Sequence, residues 1–185
     1  MTEKEKMKAG QLYDANNDAV LLQERLKAKQ MCRLYNQLPP EAIAERTDIL
    51  RQLLGRTDAS FVIEQPFFCD YGYHIQIGDH FYANMNLTIL DENPVIFGNN
   101  VFIGPNCAFY TASHPLKADQ RKKGLETAQP IFIGNDVWIG GNVIILPGVR
   151  VGDGVVIGAG SVVTKDVPAF HLAVGNPCRV IKSLK

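Results

Sequence analysis

From Ile133 to Pro168 the chain reads as six consecutive hexads, IGNDVW, IGGNVI, ILPGVR, VGDGVV, IGAGSV and VTKDVP. Each opens with Ile or Val and carries Val or Ser four residues later. A fixed short period marks one structural unit stacked on copies of itself. Two inward positions per hexad, separated by outward and turn-forming ones, predict a short flat strand followed by a corner. Three such hexads close one turn of a three-sided coil. Gly134, Asn135, Asp136, Gly140, Gly152 and Gly158 supply corners that need tight or positive-φ backbone. The pattern therefore predicts a mostly β chain, a parallel β-helix.

Upstream the same register is present but interrupted. Ile63 and Cys69, then Ile77, Ala83 and Ile89, then Phe97, Ile103 and Phe109 keep the six-residue spacing. The steps from Cys69 to Ile77 and from Ile89 to Phe97 are eight residues, so each corner there holds two extra residues. Between Phe109 and Ile133 one further hexad leaves about eighteen residues over. The segment SHPLKADQRKKGLETAQP is polar and bounded by Pro, and it predicts an extruded loop at about 113–130. A long loop in an otherwise strict repeat is a place to look for function. The basic run Arg121, Lys122 and Lys123 reads as its solvated tip.

Residues 1–57 follow a different period and are expected to be helical. Between Asp18 and Leu38, Leu22, Leu26 and Tyr35 recur among charged residues, which predicts an amphipathic helix with Asp18 as N-cap. Pro39 and Pro40 end it. A second helix is expected from Glu41 to Leu54, with Ile43, Leu50, Leu53 and Leu54 on one side and Gly55 just past the end. Two short helices cannot bury both apolar faces alone, so they are expected to pack on the coil or on a neighbouring copy. The predicted organisation is an N-terminal helical segment, 1–57, and a β-helix domain, 58–185.

Charge and composition exclude several function classes. The 185 residues carry 19 basic and 19 acidic side chains, and a formal net charge of zero argues against a nucleic-acid partner. The opening MTEKEKMK has no apolar core, and no apolar run approaches membrane-spanning length, so a cytoplasmic protein without a membrane partner is expected. The four cysteines are scattered without metal-ligand spacing, and Cys107 and Cys69 fall at inward positions where a thiol acts as a small hydrophobe. His74, His80 and His171 invite a metal reading, but the insertion before Ile77 spoils their alignment. Surface-exposed histidines with no metal are expected instead.

The segments EKEKMKAGQLYD, FFCDYGYHIQIG, FYANMNLTILD, YTASHP, IGNDVWIGGNVIILPGV, IGAGSVVTKDVP and VGNPCRVI together resemble the hexapeptide-repeat sugar O-acetyltransferases, most closely the maltose O-acetyltransferase type. The resemblance covers nearly the whole chain. It implies a left-handed coil, whose hand the period does not show, and a homotrimer with active sites between subunits. It implies transfer of an acetyl group from acetyl-coenzyme A to a hydroxyl, C6 of maltose, glucose or a related sugar. An antibiotic hydroxyl as acceptor, or a trimeric scaffold without catalysis, are the competing readings.

His114, at the mouth of the extruded loop, is the candidate general base. A sugar hydroxyl is a poor nucleophile until a base takes its proton, and an imidazole can accept that proton at neutral pH and return it to the departing thiolate. By resemblance Asn84 assists His114 and positions the hydroxyl, while Asp14, Asp70, Asp91 and Glu92 line the sugar site. Corner turns are the plainer role for Asp70 and Asp91. By resemblance again, the Gly141 N–H points to the thioester carbonyl, and Ala159, Thr164, Lys165, Arg179 and Lys182 meet the donor's nucleotide end. Lys and Arg suit its phosphates. Trp138, outward in its hexad, is expected to line the cleft or a subunit seam.

Overall fold

The computed structural model describes residues 1–185. The hexad register builds its core, with buried positions spaced alternately two and four apart. Ile131, Ile133, Val137, Ile139, Val143, Ile145, Val149, Val151, Val155, Ile157 and Val163 are all buried in one cluster, two per hexad. Three sheets of short strands wrap this core as the flanks of a prism. The first face stacks Phe67–Cys69, Leu87–Leu90, Ala108–Tyr110, Ile144–Ile145 and Val162–Val163. The second stacks Arg56–Thr57, Ile75–Ile77, Val95–Phe97, Ile131–Ile133 and Arg150–Val151. The third runs from Phe61–Ile63 through Phe81–Ala83, Phe102–Ile103, Trp138–Ile139 and Val156–Ile157 to His171–Val174, closed by antiparallel Arg179–Ser183.

Ladder register reproduces the sequence period. Phe132 pairs with Arg150, and Trp138 with Val156, eighteen residues on. In the earlier coils Tyr82 pairs with Phe102 and Thr88 with Ala108, twenty residues on. Phe102 pairs with Trp138 across thirty-six residues, so the whole eighteen-residue excess is expelled without slipping the ladder. A one-residue slip would turn every inward aliphatic outward, which is why extra residues leave at corners.

The three edges of the prism are built differently. Between the second and third faces His80, Asn100, Asp136 and Gly154 stack at positive φ. Between the third and first faces Asn86, Asn106, Asn142 and Gly160 do the same. Asn tolerates the left-handed region because its side chain bonds locally, and the Asn86 amide indeed bonds Asn106 at 2.8 Å. The first-to-second edge lacks such a stack. Both two-residue insertions and the extruded segment leave the prism there, after Cys69, Ile89 and Tyr110.

The N-terminal segment caps one end of the coil. Helices α1 (Glu3–Lys8), α2 (Ala19–Gln37) and α3 (Ile43–Leu53) form as the polar and apolar periods allow. Asp18 caps α2, its carboxylate accepting from the Leu21 N–H at 2.9 Å. The buried side of α2 is Leu21, Ala28, Cys32 and Tyr35, while Leu22 and Leu26 are 43% and 57% exposed. The apolar face thus corrects the expected one, turned toward the coil by the docking of Tyr35 and Asn36. The Asn36 side chain bonds both the N–H and the C=O of Phe67, each at 2.9 Å, taking the place of a neighbouring strand. On α3 only Leu50 and Leu53 are buried, with Leu54 beyond, and Ile43 is exposed. Two strands, Tyr13–Asp14 and Arg56–Thr57, interrupt the stretch expected to be helical throughout. Ala28, Cys32, Tyr35, Leu50, Leu53 and Leu54 join the same core as the coil. No helix is long and apolar enough to cross a membrane.

Candidate active site

The extruded segment is more ordered than a loop. Ala112–Ser113 and Leu125–Ala128 form an antiparallel arm, with the short helix α4 (Ala118–Arg121) at its tip. Its outer strand is pinned by the N-terminus, Tyr13 opposite Glu126 and Asp14 opposite Leu125. His114 follows the inner strand of this arm. Its Nδ1 lies 3.0 Å from the Leu125 carbonyl, which selects the tautomer with Nδ1–H donating and leaves Nε2 a lone pair. Nε2 is 3.8 Å from Glu126 Oε1, and the other Glu126 oxygen accepts from the Tyr13 hydroxyl at 2.8 Å. Tyr13 is buried, and burial together with the Glu126 charge raises its hydroxyl far above the usual phenol range. Tyr13 therefore stays a donor and holds Glu126 beside the half-exposed imidazole.

Below the arm, the two insertions bring three carboxyl groups close together, those of Asp70, Asp91 and Glu92. Asp91 is fully buried, and its carboxylate accepts from the backbone N–H groups of Asp70 at 3.1 Å, Tyr71 at 2.8 Å and His74 at 3.4 Å. Those bonds fix the twenty-residue corner and leave Asp91 no surface for an acceptor, so its place in the sugar site is corrected to a turn-making one. Burial nonetheless pushes it up to about 7 against the pull of those bonds. Glu92 is 3% exposed and lies 3.2 Å from the Thr111 hydroxyl. Burial and the neighbouring Asp70 push Glu92 up to about 9, so Glu92 keeps its proton at neutral pH. Asp70 remains half-buried, 3.9 Å from the Lys29 ammonium. The Tyr71 hydroxyl is buried beside these groups and meets no protein partner.

Other sequence-derived residues fall elsewhere. Asp14 sits in the strand beside the arm rather than in a helix, and its carboxylate accepts from the Asn16 N–H and from the Asn17 amide, a turn closure. His74 corrects the expectation of a surface residue. It is 8% exposed, its Nδ1 bonds the Asp91 carbonyl at 2.7 Å and its ring packs edge-on to Tyr73. His80 is an exposed corner residue. No three His, Cys, Asp or Glu side chains are grouped as a metal-ligand set.

Asn84, Gly141 and Ala159 lie on the third-to-first edge, one above another along the stack, whereas His114, Thr164 and Lys165 lie on the first-to-second edge. A whole face separates the two groups, roughly 15 Å at about 3.3 Å per residue. Asn84 Oδ1 accepts from the Met85 N–H at 2.8 Å, leaving its amide N–H groups free. Gly141 is half-buried and its N–H makes no bond within the chain. Its corner is packed tightly, since a Cβ on Gly104 would stand 2.5 Å from the Gly141 nitrogen. Thr164 lines a polar cavity of about 330 Å³ with Thr111, Ser113, Thr127 and Gln129. Ala159, Lys165, Arg179 and Lys182 are exposed. Trp138 is 58% exposed on the third face, in register with exposed Phe102 and, further down the ladder, Val62. Tyr82, partly buried, stands between Phe102 and Val62 on that ladder.

Sequence reasoning missed Glu126 and Tyr13. The spacing gives no sign of Glu126, because its partner strand comes from the N-terminus, more than a hundred residues away.

Comparison with known proteins bears on this geometry. Residues 6–58 match the maltose acetyltransferase hexapeptide capping motif, and residues 130–165 match the bacterial transferase hexapeptide family of six repeats. A crystal structure of a maltose O-acetyltransferase from Clostridium difficile superposes with a TM-score of 0.98 at 50% identity, covering 100% of this chain and 98% of that one. A hexapeptide-repeat acetyltransferase from Vibrio cholerae, complexed with acetyl-coenzyme A, gives 0.91 at 41% identity over 100% of both chains. The galactoside O-acetyltransferase of Escherichia coli is 40% identical over 180 residues, 97% of this chain and 88% of the relative.

Proposed function

This chain belongs to the hexapeptide-repeat acetyltransferases, and we propose that it transfers the acetyl group of acetyl-coenzyme A to a sugar hydroxyl, C6 of maltose, glucose or a related sugar, with His114 as general base. The observation that carries this reading is the imidazole of His114, held by its Nδ1–H on the Leu125 carbonyl so that Nε2 is left as the acceptor. Nε2 takes the proton of the acceptor hydroxyl while the hydroxyl oxygen adds to the thioester carbonyl. The tetrahedral intermediate then expels the coenzyme A thiolate, which receives the proton back from the imidazolium. Glu126, 3.8 Å from Nε2, stabilises the transient cation. The free Gly141 N–H suits the developing oxyanion. Asp70, the protonated Glu92 and the Asn84 amide offer one acceptor and two donors to sugar hydroxyls. Thr164, Lys165, Arg179 and Lys182 are exposed polar groups suited to the donor's phosphates and pantetheine.

One copy separates Asn84 and Gly141 from His114 by a face of the prism, so the reading includes a homotrimer in which the third-to-first edge of one copy meets the first-to-second edge of the next. The exposed apolar side chains of Val62, Phe102 and Trp138, on the face that adjoins the third-to-first edge, support that contact. Four unbridged cysteines and a metabolic thioester substrate support a cytoplasmic setting.

The test follows thiol release from acetyl-coenzyme A with maltose, glucose, a galactoside and chloramphenicol as acceptors. Release with a sugar, abolished in His114→Ala, is the expected result. Release with chloramphenicol alone would move the acceptor to another class, and release unaffected by His114→Ala would remove the base. Trimers reassembled from equal His114→Ala and Asn84→Ala chains should recover about a quarter of wild-type activity, because one site in four then pairs an intact His with an intact Asn across the boundary. No recovery would place both residues in one copy's site.

A further inference from the structure

All four cysteines are unbridged and buried, but only two of them meet. Cys32, on the buried side of α2, and Cys69, ending the first strand of the first face, bring their sulfurs to 3.6 Å across 37 residues of sequence. Cys107 has no such neighbour, and its thiol donates to the Gly140 carbonyl at 3.1 Å. The Cys32–Cys69 pair also lines a cavity of about 330 Å³ between α2 and the first face, shared with Lys29, Arg33, Phe68 and Asp70. A small polar molecule entering beside Lys29 and Arg33 therefore reaches sulfurs that would otherwise count as core. The hydrogen bond from Cys69 holds the Cys32 thiol below its ordinary range, and the same bond with burial raises Cys69. One sulfur is thus the better nucleophile and the other a resolving thiol in contact with it.

We propose that Cys32 and Cys69 are a modification site at which a hydroperoxide forms a reversible disulfide, stapling the capping helix α2 to the first coil. The Cys32 thiolate attacks a peroxide oxygen, the O–O bond breaks, and the leaving hydroxide or alkoxide takes up the thiol proton. The Cys69 sulfur then attacks the sulfenic sulfur, an S–S bond forms and water leaves. Two electrons pass from the thiols to the peroxide, and a dithiol reductant returns them. Bonding closes the sulfurs from 3.6 Å to roughly 2 Å, a shift shared by a helix and a strand end. Asp70 follows Cys69 in the chain and faces Lys29 of α2 at 3.9 Å, so the closure displaces Asp70. The consequence for catalysis rests on Asp70 lining the acceptor subsite.

The full-length protein, treated with hydrogen peroxide and then alkylated, should lose two hydrogens in mass, with Cys32 and Cys69 joined in one peptide pair and Cys107 and Cys178 still alkylated. Dithiothreitol should reverse this, and Cys32→Ser should leave Cys69 reduced. Oxidation of Cys107 or Cys178 to the same extent, or overoxidation of Cys32 without a bridge, would overturn the site. In the oxidised protein the acceptor KM should rise at least threefold while the acetyl-coenzyme A KM holds, and Cys69→Ser should abolish that response to peroxide. A bridge that leaves both constants unmoved would overturn the link to Asp70. Failure of every sugar as acceptor would strike the proposed function and leave the mass readout to judge the bridge.

Discussion

The coils from Ile131 to Val167 and those from Phe61 to Tyr110 share one ladder yet differ in what they bury. The later coils turn every eighteen residues, and their inward positions hold aliphatics with a single satisfied exception, Ser161, bonded to Gly158 and Gly175. The earlier coils turn every twenty, and at one edge they bury His74, Asp91, Glu92, Asn93 and Thr111. Regular repeats stabilise by close packing of like on like. The departures from the repeat collect polar groups on the edge from which the His114 arm projects. Uniform aliphatic packing and buried polar groups are thus divided between the two halves.

Four substitutions sharpen or break that division. On the irregular edge, His114→Ala should lower kcat/KM by about 10²- to 10⁴-fold, with the melting temperature unchanged because the ring is half-exposed. A melting shift as large as a core mutant's would erase the contrast. In the regular half, Ile139→Ala removes a fully buried side chain and should cost about 2–5 kcal/mol in denaturant unfolding, with kcat per folded molecule preserved. Lost activity without lost stability would contradict it.

Third in size is the pH dependence. Burial pushes Glu92 up to about 9 and Asp91 up to about 7, above their ordinary values, so the native state holds protons that the unfolded chain has released. Their contribution is complete below about pH 4 and is lost as pH rises toward 9. Melting temperature should therefore fall from pH 5 to pH 9, and Glu92→Gln should flatten that slope. An unchanged slope would mean that Glu92 is already ionised. Smallest is Tyr13→Phe, which removes the donor to Glu126. A lost hydrogen bond to a charged group is worth about 1.5–3 kcal/mol in stability, and kcat should fall only about threefold to tenfold. A fall as deep as His114→Ala would promote Tyr13 from a positioning residue to a reacting one.

The fold was legible in the sequence to the extent that it repeats. The hexads from Ile133 onward, the two eight-residue steps and the eighteen-residue surplus each reappear in the register, because inward aliphatics tolerate no slip. The helix behind Asp18 was legible from its cap, but its buried face was not, since Leu22 and Leu26 obey helical spacing as well as Leu21 and Ala28 do. Tertiary docking chose between two equal stripes. The site was half legible. His114 stands out by its place at the arm's root. Asp91 looks like a ligand in sequence and turns out to close a corner, because a carboxylate's backbone partners are invisible until the chain is folded. Glu126 depends on an antiparallel pairing with Tyr13 that no local pattern announces.

The amide of Asn36 has a last consequence. A solenoid whose terminal rung is bare invites a sister molecule to continue the stack, and a filament grows. Here the outermost rung at Phe67 already has its hydrogen-bonding capacity taken by a side chain, and at the far end Arg179–Ser183 folds back antiparallel over the final turn. A bonded amide at one end and a folded-back strand at the other thus both work against elongation along the axis.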